Sequence, residues 1–138
     1  MAKTITYFIS GHRDISQEDF NRYYVPAIED VINGDLGYEF IMGDCDGVDL
    51  MAQEYLHKKG YGFGVYHMFE KPRNCVVNAD NEDELEIAGI YLVGGFQSDE
   101  ERDAAMTRAS HSDIAFIKKG RWKSGTAKNI LRRYERDF

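Results

Sequence analysis

Apolar positions along this chain fall in short blocks whose repeat alternates between two residues and about 3.6, the periods of strands and helices. Residues 4–9 form a β-branched and aromatic run that stops at Ser10-Gly11 and predicts a first, central strand. Ser16 is a candidate N-cap with Asp19 three residues on, and Phe20, Tyr23, Ala27 and Val31 continue at helical spacing. Pro26 falls inside that pattern, so the helix is expected to kink there or to be two shorter pieces. After a turn at 33–37, residues 38–42 predict a second strand stopped by Gly43. Residues 48–59 carry Val48, Met51, Ala52, Tyr55 and Leu56 on one helical face, with Gly60 as the C-cap glycine. Residues 63–69 predict a third strand.

Strand, helix, strand, helix, strand at this spacing implies right-handed crossovers and a parallel sheet. The expected class is therefore α/β: a Rossmann-like, open, mainly parallel sheet flanked by helices, in one domain spanning residues 1–138. The stretch 70–97 breaks the rhythm, with an acidic run and then 87–93 as a strand or hairpin arm. It reads as an insertion over the edge or mouth of the sheet. Ser98 followed by Asp99, Glu100 and Glu101 is a capping-box signature, predicting a helix to about residue 109. A strand at 113–117 and a final helix at 124–136 complete the reading.

Composition narrows the function classes. Hydrophobic residues make up 43% and charged residues 30%, a globular balance that argues against disorder. No run approaches the length needed to span a bilayer, and the first residues lead straight into a strand, so no membrane partner and a cytoplasmic location are expected. A net charge of −7 argues against nucleic acid as a partner. The charge is unevenly spread: residues 80–86 hold five acids, whereas 118–138 hold eight Lys or Arg against two acids. The basic segment reads first as a solvated helix, and second as a cationic rim beside an anionic ligand. Cys45 and Cys75 lack CxxC spacing, so neither a zinc site nor a redox pair is expected, and no metal or cofactor is assigned.

Three loops that follow strands and precede helices carry the candidate chemistry, because such loops gather at the carboxyl edge of a parallel sheet. In the first, Ser10, Gly11, His12 and Arg13 offer close backbone approach and a guanidinium for a phosphate or carboxylate. The second runs from Gly43 through Asp44, Cys45 and Asp46 to Gly47 and Asp49, entering a helix whose free N–H groups suit an anion. Its three carboxylates repel a phosphate unless they face a sugar, a base edge or a metal. A calcium loop is set aside, since Tyr55 stands where the twelfth-position Glu would be. The third places Lys123, Ser124, Gly125 and Thr126 at a helix start as a phosphate nest or simply as a cap, with Arg121 and Trp122 beside it. His67 reads as strand packing and His111 as a helix-end residue.

These segments resemble the SLOG superfamily of LOG and DprA-like proteins, most closely its YspA-like DUF2493 branch. The resemblance rests on ISGHRD, on GDCDGVDLMAQEYL as a G-x-x-x-G-x-D-x-x-A segment, and on RDAAMTRASHSDIAFIKKGRWKSGTAKNI. It covers most of the chain except roughly residues 70–97. It implies a nucleotide-binding Rossmann-like fold and points to Ser10, Gly11, Arg13, Gly43, Gly47, Asp49, Arg102, Ser124, Gly125 and Thr126, with Arg102 and the Gly-Thr turn on phosphate or ribose. One departure matters. LOG-type hydrolases carry a catalytic Glu just after the glycine-threonine loop, whereas Thr126 is followed by Ala127-Lys128-Asn129.

Two functions follow as expectations. The first is binding of a nucleotide or nucleotide-derived phosphorylated ligand at the carboxyl edge of the sheet, as a sensor, regulatory or sequestering module. The alternative is an enzyme processing nucleoside or nucleotide N-glycosides, as hydrolase or deoxyribosyltransferase, with Asp44, Asp46 or Asp49 as the carboxylate such chemistry needs. Association into a homodimer or higher homo-oligomer is also expected.

Overall fold

The computed structural model describes residues 3–137. Strand β1 (Thr4–Ser10) is followed by helices α1 (Gln17–Tyr23) and α2 (Val25–Ile32), strand β2 (Gly37–Met42), helix α3 (Val48–Lys58) and strand β3 (Phe63–Met68). Helix α4 (Glu82–Ala88), strand β4 (Ile90–Phe96), helix α5 (Asp99–Ala109), strand β5 (Ser112–Ala115) and helix α6 (Gly125–Asp137) complete the chain.

Local chemistry sets the boundaries. Ser16 accepts from the Asp19 N–H, and Ser98 from the Glu101 N–H, as N-caps do. Glu101 returns a bond to the Gln97 N–H, one residue before the cap. Pro26 sits in the first turn of α2, where its missing N–H costs nothing, and the helix breaks at Tyr24 into two pieces.

The five strands form one parallel sheet in the order β4-β3-β2-β1-β5. Three successive units step outward from β1 to one edge, and the chain then returns to place β5 on the other side. The direction of winding therefore reverses between β1 and β5, and the crevice outside their carboxyl ends is where such sheets bind ligands. The period of two splits each strand between two faces. Ile9, Phe40, Met42, Phe63 and Val65 join Phe20, Tyr24, Ile28, Val48, Ala52 and Leu56 in the main core. Phe8 and Ile41 point the other way and meet Met106 of α5 in a much smaller cluster. That second face is otherwise closed by buried polar groups, Arg102, Thr107, Asn129 and Arg133 among them.

The stretch 70–97 divides into two parts. Residues 82–96 supply α4 and β4, so they build the edge of the sheet as the third outward unit and add no separate layer. Ile87, read from the sequence as the start of a strand, is helical, and the strand begins at Ile90. Residues 70–81 lie against the loop after β2, where Arg73 bonds back to Asp44. Among the described residues, no helix is long and apolar enough to cross a membrane.

Candidate functional site

A cavity of about 380 Å³ opens at the switch point between β1 and β5. Its walls come from the end of β1 and the loop after it, the loop after β2 and the start of α3, the first turns of α5, the loop after β5 and the start of α6. Met106 and Phe8 form its apolar part, and most of the remaining lining is charged or hydroxylated.

The two strand ends that flank it are clasped from below. The buried Tyr24 hydroxyl donates to the Ser10 carbonyl at 2.8 Å and accepts from the Phe116 N–H at 3.0 Å. His12 Nε2 accepts from the Lys118 N–H at 2.9 Å, which places the imidazole proton on Nδ1. Burial and then the Arg121 charge lower the His12 pKa, so the ring stays neutral and serves as a tie between loops. Ser10 also lines the cavity, and its buried hydroxyl has no partner among the described residues.

Beneath the second loop lies an ionic cluster. Asp44, fully buried, accepts from the Arg73 backbone N–H (2.7 Å), Arg73 Nε (3.2 Å), Arg73 Nη2 (2.8 Å) and Arg102 Nη1 (2.8 Å). Burial alone would raise its pKa. The Arg73 bonds and the two guanidinium charges outweigh burial and hold the carboxyl below its usual value. Arg102 is itself buried and divides its remaining bonds between Asp99 and Asp103. Asp99 also takes Arg13 at 3.0 Å and Arg73 at 2.6 Å. Asp44, Cys45 and Asp99 converge closely enough to suggest a cation site, but the guanidinium groups of Arg73 and Arg102 already neutralise that position.

Asp49 differs from its neighbours. Buried in the cavity wall, it accepts from the Cys45 N–H at 3.1 Å, and burial lifts its pKa to about 7 despite the nearby Arg102 charge. Cys45 is buried too. Burial and Asp49 push its thiol up, so the adjacent guanidinium groups do not make it a thiolate.

The glycines of this loop serve packing. A Cβ at Gly43 would lie 2.6 Å from Asp49 Oδ2 and 2.8 Å from Arg102 Cζ. Gly47 has φ +76°, and its Cβ would lie 2.4 Å from the His12 carbonyl oxygen and 2.5 Å from that of Arg13. Gly47→Ala is therefore expected to cost more than about 1 kcal/mol of stability, measured by urea unfolding, because both the backbone conformation and the space are denied. An unchanged midpoint would contradict this.

On the far wall, Arg121 forms a two-pronged bond to Asp14, both contacts at 2.7 Å. Ser124 caps α6 through a bond from the Ala127 N–H, and Gly125 and the buried Thr126 face the cavity. Asn129 lines the wall one turn further on and donates to Asp103.

Of the residues singled out from sequence, Ser10, Gly11, His12, Arg13, Asp49, Arg102, Gly125 and Thr126 line the cavity together. Gly43 and Gly47 do not, and their part is to let the loops touch. Asp44 lies behind the wall as the partner of two arginines, and Asp46 is exposed, bonded to Asn74. Both are poorly placed to reach a ligand. Ser124 is a cap, Lys123 is exposed outside the lining, and Trp122 is 68% exposed and also outside it. Sequence reasoning placed Asp14 in the first loop without a role, missed Asp103 and Asn129, and read Asp99 only as a first-turn acid. No family model matches the chain, and no curated protein matches it by sequence.

Proposed function

We propose that the cavity binds a nucleotide or nucleotide-derived phosphorylated ligand and holds it without turning it over. The observation that carries this reading is the division of the cavity into two chemical ends at the switch point of the sheet. At one end, Arg13 and Arg121, each paired on the exposed rim with a carboxylate (Asp99 and Asp14) that a phosphate would replace, join the first turn of α6 in presenting donors. Deeper in, Asp49, Asp103 and Asn129 present acceptors, which suit sugar hydroxyls or a base amino group. The resemblance to the SLOG superfamily points the same way. Catalytic inertness is supported by the commitments of the carboxylates: Asp99 and Asp103 are bound by arginines, and no acid follows Thr126.

A thermal-shift panel of nucleoside mono-, di- and triphosphates, NAD and ADP-ribose tests the reading, since a ligand specific to the folded state raises the midpoint. Arg13→Ala and Arg121→Ala lie on the exposed rim, and each is expected to weaken the responding ligand about five- to tenfold. If no compound shifts the midpoint, or both variants bind unchanged, the proposal is wrong.

A second reading, cleavage of an N-glycosidic bond, is favoured by Asp49 alone, a wall carboxyl poised to carry a proton near neutrality. Release of free base, followed by chromatography of the same mixtures, would establish it and overturn the binding-only reading.

A further inference from the structure

Helix α6 faces the wrong way for an ordinary surface helix. Its buried residues are Thr126, Asn129 and Arg133, all polar. They dock by hydrogen bonds: Asn129 to Asp103, and Arg133 to Asp113 and the Ser110 carbonyl. Arg136 adds bonds to the Thr107 and Ser110 carbonyls. The apolar stripe runs along an adjoining, outward side, with Ala127 half-buried, Ile130 36%, Leu131 55% and Tyr134 62% exposed. A helix normally turns such a stripe to the core. Here the polar side carries the intramolecular work and the apolar side faces outward, which is the arrangement of a helix built to be covered.

We propose that the cover is a second copy of the same chain, with α6 packed antiparallel on α6 of the partner about a two-fold axis near Leu131. Charge placement selects this occupant. Lys128 and Glu135 lie two helical turns apart on the same flank of the stripe, on either side of Leu131. In an antiparallel pair, flanks of the same kind meet, so each Lys128 faces Glu135 of the partner subunit, and the two-fold axis makes the contact twice. A parallel pair would instead turn the Lys128 and Glu135 flank toward the partner's other flank, where Thr126 and Arg133 are already buried against their own chain. The contact is small, so the dimer is expected to depend on concentration. Because α6 also starts in the cavity wall, the dimer would hold that wall in place from outside.

Sedimentation equilibrium of the full chain over a wide concentration range tests this. Wild type should show a monomer–dimer equilibrium. Leu131→Glu, at an exposed position that leaves folding intact by circular dichroism, should be monomeric throughout. Lys128→Glu should weaken association on the order of tenfold, since two pairs become repulsive. The double exchange Lys128→Glu with Glu135→Lys should recover most of the loss, a rescue that a merely structural role for either residue would not give. A wild-type chain that stays monomeric at millimolar concentration, or a dimer indifferent to Leu131→Glu, overturns the proposal. So does a monomer that instead sediments with phosphatidylserine vesicles, which would assign the stripe and its basic flank to a lipid surface.

Discussion

Asp44→Ala is expected to cost about 3–4 kcal/mol of folding stability, because it removes one buried carboxylate that satisfies two guanidinium groups at once. Four N–H donors from Arg73 and Arg102 converge on it. The two arginines respond differently to its loss. Arg73 has a side chain 40% exposed and can turn toward water, whereas Arg102, at 5%, cannot. Most of the penalty therefore falls on Arg102. Asp99 and Asp103 still face it, which keeps the figure near the lower end of the range for breaking a buried pair. The same change should release residues 70–81, since Asp44 accepts the Arg73 backbone N–H as well as its side chain. Urea unfolding measures the first effect and hydrogen exchange of residues 70–81 the second. A loss below about 1 kcal/mol, with unchanged exchange, would mean that Asp44 is not the hub. Arg73→Ala should cost much less on its own and should couple strongly to Asp44→Ala in a double-mutant cycle.

What the sequence disclosed, and what it hid, follows from the range over which each feature acts. The caps at Ser16 and Ser98 and the break at Pro26 are settled within a few residues, so they could be read directly. The edge unit could not. Helix α4 buries no residue, and β4 carries Gly94 and Gly95, which read as a loop. Gly94 is small for a tertiary reason: a Cβ there would lie 2.3 Å from the His67 ring on the neighbouring strand. At the site, strand-end loops were visible as a group, but the duties within them were not. Nothing local ties Arg73 to Asp44 across 29 positions, or shows that Gly43 and Gly47 make room for other loops. Asp99 looks like a capping acid until Arg13, Arg73 and Arg102 are seen around it. The basic segment of α6 reads from sequence as a solvated helix, and only the fold reveals that polar residues dock it while Ile130, Leu131 and Tyr134 are left exposed.

Asp49→Asn should make stability less dependent on pH, in a direction fixed by the raised pKa of the wild-type carboxyl. In the folded chain burial raises the Asp49 carboxyl to about 7, from an ordinary value of 3.8. Between those two values the folded protein keeps a proton that the unfolded chain has released, so stability falls as pH rises through the window and levels off above it. Asparagine cannot ionise and can still accept the Cys45 N–H bond. Wild type and variant should therefore be similarly stable near pH 4 and diverge upward, with the variant ahead by on the order of 3 kcal/mol by pH 8–9. Urea midpoints at each pH decide it: parallel curves would show that Asp49 is ionised in the folded state at all these values. The same titration reaches the ligand. Above pH 7 an ionised Asp49 adds negative charge to the cavity wall, so nucleotide affinity should fall with rising pH in wild type and remain flatter in Asp49→Asn. Glycosidic cleavage by an Asp49 proton would be abolished by the variant at every pH, whereas simple binding would survive, so one substitution separates the two readings of the site.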